Sequence, residues 1–254
     1  IGISAGTTTQ ATNAVAIGNQ AGNNNQGNSS IAIGSQAGQT SQTAGCIAIG
    51  VASGNSSQAT NAIAIGQNAG LTSQGTTAVA IGQSAGTFSQ GAGACAIGVN
   101  AGAGVSGVNF QGASAIAIGN ASGQNTQGAS AVAVGLNAGG TNQGANSVAI
   151  GGNAGNTGQL ANAVSVGFRA GQNNQQLYGI SVGLDAGQTT QGQDSIAIGR
   201  TAGQTTQGSG SVAVGFGAGQ ISQGASSVAI GRNAGEGTTT GQGANAIAIG
   251  NNAG

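Results

Sequence analysis

The chain has 254 residues, with 54 Gly, no Pro, His, Met or Trp, and three cationic side chains against three anionic ones. Collagen is excluded, because Pro and a three-residue period are both missing, and without His or clustered Cys so is a nitrogen- or sulfur-ligated metal site. No basic patch exists for nucleic acid, and no apolar run approaches the roughly 20 residues of a membrane-spanning helix.

From the N-terminus onward one phrase recurs, first complete as Ala14-Val15-Ala16-Ile17-Gly18 and last as Ala246-Ile247-Ala248-Ile249-Gly250. Its closing Gly returns at sixteen positions, and thirteen of the fifteen intervals are 16 residues, the others being 21 and 19. A short fixed period over a whole chain predicts a solenoid in which each repeat is one structural unit. The two residues that flank the central Ala or Ser are Val or Ile, apart from Cys95. Alternation with a period of two predicts a short strand. The fold expected is therefore all-β, a parallel β-roll or β-solenoid of about 16 coils, making a shaft roughly 75 Å long at about 4.8 Å per coil.

Large apolar side chains normally form the core, so Ile31, Ile33, Val148, Ile150, Ile196 and Ile198 are expected inside each roll. The small Ala face is then left to meet neighbouring copies, with both strand faces buried. After the motif Gly come two variable residues, a small residue and a second Gly. Such pairs, Gly18 with Gly22 and Gly199 with Gly203, fit a corner at positive φ.

A polar segment follows and closes on Gln in every complete repeat, at Gln10, Gln26, Gln42, Gln58, Gln74, Gln90, Gln111, Gln127, Gln143, Gln159, Gln175, Gln191, Gln207, Gln223 and Gln242. In-register Gln predicts a structural ladder, each amide donating to the next coil. From each Gln to the next motif Gly is always eight residues, so the two longer repeats place their extra residues in loops near 102–110 and 236–241.

The remaining chemistry is sparse. Cys46 and Cys95 are three repeats apart, about 14 Å at 4.8 Å per coil, which is beyond disulfide reach. Asp185, Asp194 and Glu236 are the only carboxylates, and with no His there is no acid–base pair, so neither an enzyme nor a cofactor is expected. Arg169 and Asp185 hold the same corner position in successive coils and predict a surface ion pair. Phe168 and Phe216 fall on that corner too, as contacts to a neighbouring copy or to a ligand.

The phrase Asn146-Ser147-Val148-Ala149-Ile150-Gly151 resembles the head repeats of YadA-like trimeric autotransporter adhesins, and similar repeats occur in fibre-like proteins of phages and large viruses. The resemblance covers the whole chain, although those heads repeat every 14 residues and carry a neck, stalk and anchor not seen here. It implies three chains packed into a rod, a homotrimer on a cell or virion surface that meets an extracellular or cell-surface receptor without inserting into a membrane. Because the chain starts on Ile1-Gly2 and stops at Gly254 with no capping repeat, residues 1–254 are expected to be one repetitive segment of a longer chain. Two other readings remain open: a monomeric solenoid whose Thr-bearing face binds a regular lattice such as ice, and a filament assembled through exposed strand edges.

Overall fold

The computed structural model describes residues 1–104, 110–236 and 241–254. They form two compact units, Ile1–Ser130 and Ala131–Gly254. Each is a parallel β-solenoid wound from the sixteen-residue repeat, with about 15 turns in all and no helix among the described residues. The two expected loop insertions fall largely at 105–109 and 237–240, outside the described residues.

Within the first unit seven phrase strands, from Val15–Ile17 to Ile116–Ile118, pair in parallel. Like stacks on like, so that Val79, Ala80 and Ile81 face Cys95, Ala96 and Ile97. Strands ending in the repeated Gln, such as Thr72–Gln74 and Phe88–Gln90, form the opposite wall. The second unit repeats this plan, with eight phrase strands from Val132–Val134 to Ile247–Ile249.

Backbone groups are satisfied by the coils above and below. In the coil of Gly66, the Gly66 and Asn68 N–H groups donate to Ile49 and Val51 of the preceding coil. Gly70, Thr72, Gly75 and Val79 donate to the following one. At each end of the coil a four-residue turn closes, Ala69 onto Gly66 and Ala78 onto Gly75, both at 3.2 Å. The third residue of each turn has positive φ, Asn68 at 57° and Thr77 at 57°, as a type II turn requires.

The interior corrects one expectation outright. Ala16, Ala32, Ala48 and their successors point inward, and nearly all are fully buried. Ile31, Ile33, Val148, Ile150, Ile196 and Ile198 point outward and are half-buried or exposed. Width is the reason. The opposite inward positions hold Ala or Ser, a Gly and the repeated Gln. The Gln side chain itself spans the gap, since Gln74 Nε2 donates to the Ile63 carbonyl of the facing strand at 2.7 Å. Two walls that close admit a methyl or a hydroxyl between them, and no Val or Ile.

Both corner glycines are dictated by this tight section. Gly199 has φ of 124°, and a Cβ there would lie 2.5 Å from the Gly215 carbonyl oxygen of the next coil. Gly203 has φ of 52°, and its Cβ would fall against the Gln207 carboxamide. Gly18 and Gly22 occupy the same two positions near the start of the chain, with φ of 130° and 51°.

Candidate functional surfaces

Two longitudinal features organise each unit, an internal amide ladder and an external apolar face, and in the second unit one corner adds three Arg, Asp185, Phe168 and Phe216.

The ladder runs through the Gln column. Nε2 of each residue donates to Oε1 of the next, from Gln10 to Gln26, and then from Gln42 through Gln58, Gln74, Gln90 and Gln111 to Gln127. In the second unit it links Gln143, Gln159, Gln175 and Gln191, and separately Gln207, Gln223 and Gln242. Two rungs are open, for the buried Oε1 atoms of Gln42 and Gln207 have no partner among the described residues. The same Nε2 also meets carbonyls on two sides, as Gln74 does with Ile63 and Ala78. Each Gln therefore ties together opposite walls and adjacent coils. Ser165 and Ser181, where Ala normally stands, donate to the Oε1 atoms of Gln175 and Gln191.

A second, partly buried ladder went unread in the sequence. Gln188 donates to Gln172, Gln204 to Gln188 and Gln220 to Gln204, at 2.9–3.1 Å. Its direction along the stack is opposite to that of the internal ladder. The signal was available, because Asn or Gln recurs five residues after the motif Gly, as at Asn23, Gln39, Asn55 and Asn156.

The external face consists of the two Val/Ile columns. Ile150 and Ile198 each keep 40% of their surface exposed. In the first unit Cys95 takes one place in this face and is half-buried, whereas Cys46 replaces an inward Ala or Ser and is buried. Cys46 Sγ donates to the Ala59 carbonyl at 3.0 Å. Burial pushes both thiols above their ordinary range, Cys46 with some relief from hydrogen bonds to its thiolate.

The corner of the second unit bears Phe168, Leu184, Arg200, Phe216 and Arg232, each next after its motif Gly. Arg169 forms a two-pronged ion pair with Asp185, Nε to Oδ1 at 2.7 Å and Nη2 to Oδ2 at 2.8 Å, and its guanidinium lies 5.0 Å from the Phe168 ring centre. Arg200 and Arg232 stack on Phe216, at 4.5 and 5.7 Å from its centre.

On the glutamine wall the column two residues before each Gln is mixed, with Thr8, Thr40, Thr72, Thr141, Thr157, Thr189 and Thr205 interrupted by Asn24, Ser56, Phe88, Asn125, Asn173 and Ile221. No group of three or more His, Cys, Asp or Glu able to hold a metal occurs among the described residues. Among them, too, no helix is long and apolar enough to cross a membrane. Comparison with protein-family models and with curated proteins finds no match for this chain.

Proposed function

We propose that the chain is a segment of a stiff extracellular fibre, structural and adhesive, in which three copies pack through their Val/Ile faces on a cell or virion surface. One observation carries this reading: in coil after coil, two β-branched side chains face water on one uncharged wall. Contiguous apolar strips of that kind mark interaction surfaces. A copy of the same chain is the occupant best matched to the strip, since it offers the same columns at the same coil spacing and no buried charge. Covering the strip would stabilise the assembly by about 1 kcal/mol per side chain, roughly half the value of full burial. The number three comes from the resemblance to the adhesin heads, whose phrase this wall carries.

The lattice-binding reading has less support, because its Thr column is interrupted in seven of fifteen coils. Light scattering on residues 1–254 tests the proposal. A trimer is expected, and the variant V148N/I150N/I196N/I198N should shift it toward monomer. A stable wild-type monomer would overturn it.

A further inference from the structure

All six charged side chains lie between Arg169 and Glu236, and the three Arg stand on one corner of the second unit. Arg169 is neutralised by Asp185. Arg200 and Arg232 form no ion pair among the described residues, although Glu236 follows Arg232 by four positions. Asp194 stands outside this corner, in the opposite turn, where Gln193 Nε2 donates to it at 3.1 Å. Phe216, in the coil between the two free guanidiniums, takes one against each side of its ring.

We propose that Arg200 and Arg232, held two coils apart by Phe216, form a binding site for an acidic polysaccharide bearing carboxylate or sulfate on alternate sugars. The proposal deepens the adhesive reading by naming its ligand class. Stacking on Phe216 restrains two otherwise flexible side chains, so less freedom is lost when their planar forks grip an anion. Guanidinium matches carboxylate and sulfate through paired N–H donors. Two coils set the cations roughly 9–10 Å apart. One sugar of an extended glycan covers about one coil, so anions on alternate sugars arrive in step. An extended peptide presents same-side residues every 6.8 Å or so and falls out of step. Nucleic acid fits poorly, because Phe216 already carries a guanidinium on each side and cannot stack a base between the two cations.

Calorimetry on residues 1–254 should use heparin as the sulfated probe, hyaluronan as the carboxylated one, dextran as the neutral control and a single-stranded oligonucleotide as a competing polyanion. Binding of heparin, hyaluronan or both is expected, weakened at least tenfold in R200Q/R232Q and less in R200K/R232K, with dextran and the oligonucleotide silent. Circular dichroism on each variant separates loss of the site from loss of the fold. No binding of either acidic glycan would overturn the proposal. So would equal binding by folded R200Q/R232Q, or equal binding of the oligonucleotide. Light scattering on the same samples keeps the two readings apart: a monomer that binds glycan overturns the fibre and leaves this site standing, and a trimer that binds none does the reverse.

Discussion

Gly203 lies directly beneath the side chain of Gln207, so close that a Cβ on Gly203 would stand 2.8 Å from Gln207 Oε1. The glycine makes room for the ladder, and at φ of 52° it also holds a backbone conformation costly to other residues. Gly203→Ala should therefore destabilise by at least 1–2 kcal/mol or so from the left-handed backbone alone. Gly210→Asn is the contrasting case, with φ of 66° but only an ordinary contact for its Cβ, Ser226 Oγ at 3.8 Å. It should be nearly neutral. Urea midpoints for the two variants measure the difference.

Removing one rung of the ladder should cost more than a surface change. Gln74→Leu leaves the Ile63 and Ala78 carbonyls and Gln90 Oε1 without the donor they share. The Ala78 carbonyl keeps the Ile63 N–H, whereas Gln90 Oε1 is orphaned, and one orphaned buried acceptor costs about 1–3 kcal/mol, so a loss of that order is expected. Gln74→Glu should be worse at neutral pH and partly relieved in acid, since a carboxylate donates nothing to those oxygens. Thermal melts at pH 4 and pH 7 decide this.

Arg169 and Asp185 should respond unequally to substitution. The Arg169 side chain is 40% exposed and that of Asp185 only 9%. Arg169→Gln strips a mostly buried carboxylate of its partner, whereas Asp185→Asn leaves a guanidinium that water can solvate. The Arg169 variant should be the less stable, by up to about 1 kcal/mol for a pair with one exposed member, and salt should narrow the gap. Denaturant titrations at low and high salt give the comparison.

The thiols offer a pH test. Burial raises both, so the folded chain holds their protons more tightly than the unfolded chain does. Stability from this source is fully present below the ordinary thiol range and is lost as pH rises through the raised folded values. Cys46→Ala should flatten that alkaline decline in the urea midpoint. A thiol reagent should label Cys95 before Cys46 in a monomer, and copies packed through the Val/Ile face should protect Cys95 as well.

A favourable substitution is also expected. Thr206 sits at φ of 43°, in a column that holds Asn25, Asn142 and Asn174 elsewhere, all at positive φ. Asn adopts the left-handed region at lower cost than a β-branched residue does, so Thr206→Asn should stabilise by roughly 0.5–1 kcal/mol. A higher melting temperature is the expected readout.

Much of the architecture was legible because its constraints are periodic. The interval between motif glycines set the coil, the Val-Ala-Ile alternation set the strand, and the unvarying Gln marked the ladder. The inversion of the core was legible too, but the rule that large apolar residues go inside obscured it. Ala80, Ala85, Gly86 and Gln90 all have to share one cross-section, and no Ile fits with them. The left-handed columns were missed for a different reason. Gly is the usual mark of that region, whereas Asn68, Ser73 and Thr77 adopt positive φ in a single coil. Asn and Ser tolerate that region through local hydrogen bonds, so their recurrence was the clue. The Arg–Phe–Arg stack came from spacing of whole repeats, which no local pattern announces.

Hydrogen bonds that leave a coil both upward and downward make every interior coil a template for the next. Duplicating or deleting sixteen residues would shift the phrase strand, the Gln and both glycines together, and every bond would find an equivalent partner. Removing eight would set Gln where the motif Gly belongs, a position at which a Cβ collides with the backbone of the next coil. Each unit can thus be lengthened or shortened only in whole turns, graduated by its own cross-section, and in the second unit Arg200 and Arg232 hold their places as fixed marks.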